Sequence, residues 1–242
     1  RRLASSCFVM RCASTMAPHN GPIATHAAAR LGYRDNLSAR PAGPESVSFG
    51  LSFSGGGTRA AALAYGVLEE LARTPIRVGG ESRRMLDLVE NISAVSGGSY
   101  TAAYYGLFGD RLFQDFEQKF LKRNVQNEIA ATMLSPTNLV SMSSPYYGRS
   151  DVLAAYLDQT LFEGKTFADL EKSVRQEKRP FILINATDMS RTSRFEFTQN
   201  QFDLLCSDLG SYKVSRAVAA SSAVPVVFSP IRLSNYADRC SH

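Results

Sequence analysis

Hydrophobic and polar positions along the chain predict two successive units, each made of a strand, a glycine turn and a helix. Val47–Ser54 is a short β-prone run that ends in three glycines, and Thr58–Ala72 carries apolar residues on one helical face. Leu86–Val95 is a second strand candidate, and a helix is predicted to follow over Ser99–Phe108. The same unit therefore occurs twice in the first half of the chain.

The rest of the chain continues this alternation. The predicted elements are amphipathic helices over Asp110–Arg123 and Arg149–Leu161, a buried strand over Pro180–Thr187, a more exposed strand over Arg194–Thr198 and a helix over Tyr212–Ser222. Pro225–Phe228 is predicted to lead into another extended segment. A nearly continuous apolar strand is typical of a parallel sheet that is covered on both faces. The pattern predicts an α/β fold, a three-layer α/β/α domain with a mainly parallel central sheet.

Composition divides the chain at about residue 45. Residues 1–45 are rich in Ala, Pro, Asn, Gly and Ser without a sustained period, which predicts a leader or an arm, lipoprotein-like or disordered, before a domain over 46–242. Cys7 and Cys12 each follow an imperfect lipoprotein cleavage motif, so a lipidated bacterial protein in the periplasm or at a membrane is one expectation, with the cytoplasm left open. Residues 124–148 are expected to be a mobile cover or a packing insertion.

The net charge says little about which partner the protein binds. The formal net charge of +5 modestly favours anionic surfaces such as phospholipid headgroups, but the basic residues are scattered among acidic ones, which argues against a nucleic-acid partner. No run of 18 apolar residues is present. For Cys206 and Cys240, pairing in an oxidising compartment and a pair of buried thiols both remain open.

Ser96 lies in a pattern that is typical of a nucleophile. Ala94-Val95-Ser96-Gly97-Gly98 comes at a predicted strand-to-helix turn and nearly matches G-x-S-x-G, with Ala94 in place of the first glycine. Small residues at Ala94 and Gly98 permit the tight bend that lifts the serine hydroxyl. The alternative is that Ser96 is only a helix N-cap in a glycine-rich turn.

The glycines that follow the first strand form a second constellation. Gly55, Gly56 and Gly57 let backbone N–H groups converge on an anionic oxygen, and the next helix adds the positive end of its dipole. An oxyanion hole, a dinucleotide-binding loop and a simple tight turn all fit this pattern. The dinucleotide interpretation requires an acidic residue at the end of the second strand, where this chain has Ser96.

The positions of the histidines limit which residue type can act as the general base for Ser96. The chain has only His19, His26 and His242, so no histidine is available in a late loop for a Ser-His-Asp triad. An elbow serine without histidine favours a carboxylate as the general base.

Three motifs together resemble the patatin family of lipid acyl hydrolases. Ser54–Arg59 resembles its D-G-G-G-x-R-G loop, Ala94–Gly98 its elbow, and Ala219–Pro225 the segment before its catalytic aspartate. The resemblance implies a Ser-Asp dyad with Ser96 as nucleophile, an oxyanion hole at Gly55 to Gly57, and hydrolysis of acyl esters in phospholipids or related lipids without a metal or an organic cofactor. It implies transient contact with a membrane surface. Arg59 matches the loop arginine, which braces the turn or meets a substrate phosphate.

Departures from the family pattern leave the general base unassigned. Ser54 and Ala60 replace the first Asp and the last Gly of the loop, and Ser54 itself ends a strand before glycines, as a nucleophile does. No Asp-Gly pair occurs: Asp208 comes too early and Asp238 lacks the glycines. The expectation is that the chain is a fragment and that its aspartate lies beyond residue 242. The alternatives are a catalytically silent lipid-binding pseudoenzyme and a nucleotide-binding α/β domain.

The Tyr- and Phe-rich region Tyr100–Phe120 also has two interpretations. Aromatic residues at helical spacing usually form the core of a domain, and in a lipid hydrolase they can instead line the channel for an acyl chain. Head-group preference, acyl-chain preference and oligomeric state do not follow from the sequence.

Overall fold

The computed structural model describes residues 18–23, 32–34, 37 and 47–239. The lipidation candidates Cys7 and Cys12 lie outside these ranges, as does Cys240. Cys206 is 1% exposed and is disulfide-bonded, which rules out the alternative of a buried free thiol. Its partner lies outside the described residues.

The strands and helices follow the predicted order, with several additions. The strands are β1 (Gly21–Pro22), β2 (Phe49–Phe53), β3 (Pro75–Val78), β4 (Glu81–Arg84), β5 (Val89–Val95), β6 (Phe181–Asp188), β7 (Ser193–Glu196) and β8 (Ser207–Asp208). The α-helices are α1 (Gly57–Arg73), α2 (Gly97–Phe108), α3 (Val125–Met133), α4 (Pro136–Ser141), α5 (Arg149–Leu157), α6 (Phe167–Glu177), α7 (Gln199–Asp203) and α8 (Val214–Ser221). Two π-helical segments, Leu112–Leu121 and Asp158–Phe162, follow α2 and α5.

The central sheet has the strand order β2-β5-β6-β7. Strands β2, β5 and β6 run parallel, and β7 pairs with β6 in the antiparallel direction. Helix α1 carries the chain from β2 towards β5 and packs against α2, and α2 in turn packs against β5 and β6. This arrangement confirms the predicted α/β class with a mainly parallel sheet.

Two local predictions are wrong. Residues 86–88 do not extend β5 but belong to a 3₁₀ turn over Met85–Leu88, which the Arg84 side chain closes by bonding the Asp87 carboxylate. Pro225–Phe228 forms a turn, in which the Phe228 N–H bonds the Val224 carbonyl at 2.9 Å, and the extended segment predicted to follow it is not a strand over residues 229–236.

Aromatic side chains after the second strand form the core. Tyr104 and Phe116 are fully buried with ring centroids 5.1 Å apart, and Tyr100 stacks on Phe120 at 4.8 Å. Eleven of the twelve residues of α2 are buried, so this helix has no solvent face. Region Tyr100–Phe120 therefore serves as packing, as aromatic residues at helical spacing usually do.

Parts of the predicted arm belong to the domain. Tyr33 is fully buried and stacks on Phe181, and its hydroxyl both donates to the carbonyl and accepts from the N–H of Ile182, at 3.0 and 2.7 Å. Strand β1, from the same arm, pairs with β8. The boundary at residues 45/46 stays a prediction, but Tyr33 is an integral part of the core.

The segment expected to be a mobile cover contains two helices, α3 and α4. Helix α3 packs against α5, and α5 packs against α8. A buried ion pair joins the last two, since Arg216 of α8 and Asp151 of α5 are 8% and 5% exposed. None of the helices in the described ranges is long and apolar enough to cross a bilayer.

Candidate active site

Ser96 occupies a strained turn between β5 and α2. Its backbone has φ 48° and ψ −120°, a conformation that a residue with a side chain rarely adopts. Such strain costs on the order of 1–3 kcal/mol and persists only where the surroundings impose it. A strained positive-φ residue at a strand-to-helix turn is what a nucleophile elbow requires, whereas an ordinary N-cap has β-region angles and a capping side chain. Ser96 makes no side-chain cap hydrogen bond.

The glycine loop lies directly against this elbow. A Cβ added to Gly55 would lie 3.2 Å from the Ser96 Cβ and 3.8 Å from its Oγ. Strands β2 and β5 end at the same level, because Phe53 and Ala94 are paired across the sheet. The two motifs that are forty residues apart in the sequence therefore form one surface, which is open to solvent at Gly55, Gly56 and Gly57.

Close backbone contact explains why the elbow requires glycines after Ser96. A Cβ added to Gly97 would lie 2.1 Å from the carbonyl oxygen of Gly57, and one added to Gly98 would lie 2.6 Å from the Phe53 Cβ. Neither distance is sterically allowed, so only glycine lets the elbow and the loop approach this closely. Gly56 meets a separate requirement, because its φ of 145° favours glycine.

Two helix N-termini meet at Ser96. Helix α1 begins at Gly57 and α2 at Gly97, and neither has a capping side chain or an acidic residue in its first turn. The first N–H groups of a helix lack partners within the helix and carry partial positive charge, so both termini favour a negative charge placed between them. The site is therefore electrostatically suited to a developing oxyanion.

A hydroxyl from α8 supports the elbow from behind. The Ser96 N–H donates to Ser221 Oγ at 2.7 Å, and the Ser221 hydroxyl donates to the Asn185 carbonyl at 2.6 Å. The Asn185 amide nitrogen donates to Ser93 Oγ and to the Ala94 carbonyl, at 3.0 and 3.2 Å. The elbow is thus tied both to α8 and to the neighbouring strand β6.

Behind this network the side chains are buried. Asn185 is 5% exposed, and its Oδ1 has no hydrogen-bond partner among the described residues. Burial raises the pKa of the Tyr100 phenol, which lies beside Ser222, so this tyrosine stays protonated at neutral pH.

No carboxylate of the described residues is hydrogen-bonded to the Ser96 side chain. Ser96 Oγ makes no hydrogen bond within the described ranges. The Asp208 carboxylate bonds the N–H groups of Gly210 and Ser211 in a turn, and Asp238 is exposed in a short 3₁₀ helix. Neither aspartate is arranged as the base for Ser96.

Arg59 and Ser54 lie at the rim of the site. Both are exposed, and Arg59 makes no hydrogen bond or ion pair with any residue of the described ranges. A bracing contact from the Arg59 guanidinium is therefore not seen. A cavity of about 410 Å³ lies elsewhere, between α4, α5 and α8, and Ser96 does not line it.

The structure brings together six of the predicted site residues: Ala94, Ser96 and Gly98 of the elbow with Gly55, Gly56 and Gly57 of the loop. Sequence reasoning missed Gly97, which makes the closest backbone contact, as well as Asn185 and Ser221. Asn185 could have been noticed in the sequence, because it is the one amide side chain in the mostly apolar strand predicted over Pro180–Thr187. Ser221 lies in the small-residue segment already singled out, but its hydroxyl direction cannot be inferred from sequence.

The chain matches the model of a known protein family. The model of the family described as patatin-like phospholipase matches residues 51–238, which include both glycine motifs and α8. No curated protein matches the chain.

Solved structures resemble the fold at low sequence identity. Human GIVD cytosolic phospholipase A2 in complex with methyl gamma-linolenyl fluorophosphonate is 16% identical with a TM-score of 0.50, over 77% of this chain and 31% of that one. The same enzyme in complex with this inhibitor and terbium chloride is 18% identical with a TM-score of 0.49, again over 77% of this chain and 31% of that one. The structure of the heterodimeric ExoU-SpcU complex from Pseudomonas aeruginosa is 18% identical with a TM-score of 0.41, over 74% of this chain and 36% of that one. The chain spans about a third of the length of these structures.

Proposed function

The chain belongs to the patatin-like phospholipase family, and from that premise we propose that it hydrolyses acyl esters of phospholipids or related lipids, with Ser96 as the nucleophile. The observation that carries the proposal is the strained backbone of Ser96 at the junction of two uncapped helix N-termini. The serine nucleophile, the oxyanion loop and the dyad are all parts of the proposal.

In the proposed first step, Ser96 Oγ attacks the acyl carbonyl carbon while its proton passes to an aspartate. The carbonyl oxygen becomes an oxyanion, which the N–H groups around Gly56 and Gly57 stabilise. The intermediate collapses to an acyl-enzyme, and the leaving alcohol takes the proton from the aspartate. Water then attacks the acyl-enzyme, releasing the fatty acid and restoring Ser96. The proposal assigns the aspartate to no residue of the present sequence.

Turnover of a p-nitrophenyl ester tests the nucleophile. We expect Ser96→Ala to abolish turnover above the uncatalysed rate, whereas Ser54→Ala, at the exposed serine that follows β2, leaves it within about twofold. Equal activity of the Ser96→Ala chain and the parent chain would contradict the proposal. If the parent chain is labelled at Ser96 by a fluorophosphonate but turns over no ester, the serine and the glycine loop work without a base, as expected both for a fragment and for the lipid-binding pseudoenzyme; the two are separated by turnover of a protein that includes the aspartate.

Arg59 is proposed to meet a substrate phosphate rather than to brace the loop, because its guanidinium is exposed and unpaired among the described residues. Removing it with Arg59→Ala should slow hydrolysis of a phospholipid about 10-fold, the loss expected for one charge-assisted contact. Hydrolysis of the uncharged p-nitrophenyl ester should stay the same. An equal loss on both substrates would indicate the bracing role.

An exposed apolar surface supports the proposed contact with a membrane. We define this lipid-facing surface by seven exposed side chains of two segments, Leu134, Leu139, Val140, Tyr146, Val224, Val226 and Val227. The Arg149 guanidinium joins the segments by donating to the Val226 carbonyl at 2.9 Å, and the Arg232 guanidinium lies over the Tyr146 ring. The second segment begins three residues after Ser221 and is therefore close to the site.

The polarity of α4 and the charges nearby point to an anionic bilayer as the partner. Within α4 the polar Asn138 turns towards the protein and donates to the Thr132 carbonyl at 2.7 Å, whereas Leu139 and Val140 are exposed. Residues 129–150 and 209–237 contain no Asp or Glu, and the exposed Arg149 and Arg232 have no carboxylate partner among the described residues. Apolar side chains with arginines beside them are suited to anionic lipid headgroups.

Co-sedimentation with vesicles tests this contact. Leu134→Asp on the lipid-facing surface should weaken binding to vesicles of phosphatidylcholine and phosphatidylglycerol about 10-fold, since a buried leucine contributes roughly 1.5–3 kcal/mol. The control is Leu204→Asp, because Leu204 is 67% exposed against 71% for Leu134 but lies outside the surface. Equal binding by the two variants would contradict the lipid contact, and a dimer in solution that Leu134→Asp dissociates would assign the surface to a second copy.

A further inference from the structure

The backbone of Ser96 needs a partner that the elbow itself does not supply. Its φ of 48° places it outside the regular backbone conformations of the strand that ends at Val95 and the helix that begins at Gly97. The only acceptor for this N–H within the described ranges is Ser221 Oγ, at 2.7 Å. The contact spans 125 residues of sequence, so it depends on how α8 docks.

The direction of both hydrogen bonds at Ser221 is fixed by chemistry. The Ser96 N–H can only donate and the Asn185 carbonyl can only accept, so the hydroxyl accepts from the first and donates to the second. The two bonds, at 2.7 and 2.6 Å, are both short for their kind. Without the hydroxyl, a donor and an acceptor would be left facing each other across the gap that Ser221 Oγ now fills.

The anchor on the other side of the bridge is rigid. Asn185 is paired with Val95 in the parallel ladder of β5 and β6, and its side chain also bonds the Ala94 carbonyl. Helix α8 is held in place in turn, because Val214, Ala217 and Val218 are fully buried. Ser221 therefore connects the strained residue to two elements that cannot easily move.

We propose that Ser221 is a positioning residue, whose hydroxyl holds the Ser96 peptide in the conformation that directs Oγ to the glycine loop. The inference rests on the proposed role of Ser96 as nucleophile. Fixing the N–H of Ser96 fixes the orientation of its Cα–Cβ bond, and so the distance between Oγ and the N–H groups at Gly56 and Gly57. The Ser221 proton is donated to the Asn185 carbonyl and one of its lone pairs accepts from the Ser96 N–H, so the proposed role acts through Ser96.

The test is the rate of covalent labelling by an alkyl fluorophosphonate, resolved into a maximal rate and a half-saturating concentration. Ser221→Ala should lower the maximal rate about 10- to 100-fold, the loss expected when a buried donor and acceptor lose their partner. The half-saturating concentration should stay within about twofold, because the probe does not touch Ser221. Ser221→Thr keeps the hydroxyl and should restore most of the rate, and Ser221→Cys, a weak donor and acceptor, should lie between Thr and Ala.

A matched control comes from the same helix. Ser215 is 1% exposed on α8, and its hydroxyl donates to the Asp158 carboxylate at 3.2 Å, far along the helix from Ser221. Ser215→Ala also removes a buried hydroxyl from α8, and it should leave the maximal rate within about twofold of the parent chain. Thermal unfolding of each variant reports whether it is folded at the temperature of the assay.

The outcomes separate this inference from the proposed function. An unchanged maximal rate in Ser221→Ala, or equal losses in Ser221→Ala and Ser215→Ala, would overturn the positioning role. If Ser221→Ala is unfolded, the maximal labelling rates of the two other variants are compared. A higher rate in Ser221→Thr than in Ser221→Cys supports the positioning role, and a higher rate in Ser221→Cys overturns it. Labelling that persists in Ser96→Ala would remove the nucleophile, whereas labelling that depends on Ser96 but not on Ser221 would remove only the inference.

Discussion

Gly97→Ala should disable the site through one added methyl group. The new Cβ would lie 2.1 Å from the Gly57 carbonyl oxygen, 2.8 Å from its nitrogen and 2.9 Å from its carbonyl carbon, where ordinary contacts begin at 3.4 Å. All three atoms belong to the backbone, so no side chain can rotate away to relieve the clash. The elbow and the glycine loop must therefore separate by roughly 1 Å.

That displacement sets the expected magnitude. A misplacement of about 1 Å between reacting groups costs about 100-fold in rate, and loss of one oxyanion donor costs about 100- to 1,000-fold. Because the displacement moves Ser96 away from Gly57, we expect turnover of a p-nitrophenyl ester to fall at least about 100-fold. The free energy of unfolding should fall by only about 1–3 kcal/mol, as for other overpacking substitutions.

Gly66→Ala is the matched control for this experiment. Gly66 lies in the middle of α1, which begins at Gly57, and an added Cβ there meets no atom within 4 Å. The substitution should raise the free energy of unfolding by about 0.5–1 kcal/mol and leave turnover unchanged. A Gly97→Ala chain that is folded and as active as Gly66→Ala would refute the contact between elbow and loop as a requirement for catalysis.

Two further predictions concern stability. Tyr33→Phe removes the hydroxyl that bonds both the N–H and the carbonyl of Ile182, so the free energy of unfolding in urea should fall by about 1–3 kcal/mol; an unchanged midpoint would mean that these two hydrogen bonds do not contribute to stability. A hydrogen bond from Arg111 chiefly, with a second from Lys119, lowers the pKa of Glu163 below its ordinary value of 4.5, so its contribution to stability is present above pH 4.5 and is lost as the pH falls through the lowered pKa. Glu163→Gln should therefore show a shallower loss of stability in acid than the parent chain, and identical slopes would contradict this.

The sequence was sufficient to predict the parts of the fold that repeat a simple period. Helix α1 and strands β2 and β6 lie within one or two residues of their predicted ranges, because each combines a clear apolar period with a glycine or proline boundary. The hairpin of β3 and β4 was missed, since Pro75–Arg84 is polar and short, and its register depends on the turn at Gly79 and Gly80. Helix α6 was missed as well, although Thr166 and Asp169 form a capping box at its start.

The candidate site was predictable in its motifs but not in its contacts. G-x-S-x-G-like and glycine-rich segments are visible locally, so Ser96 and Gly55 to Gly57 could be named from the sequence. The contact of Gly97 with Gly57 and the bridge from Ser221 to Asn185 join segments far apart in the chain, and they follow from how the strands align and how α8 docks. Local pattern carries no information about such distances.

Labelling of the chain with an alkyl fluorophosphonate, followed by mass spectrometry of the labelled peptide, identifies the nucleophile. We expect a single phosphonylated residue, Ser96, and no labelling of the Ser96→Ala chain. Label on Ser54, or equal labelling of the parent and Ser96→Ala chains, would contradict the proposed role of Ser96.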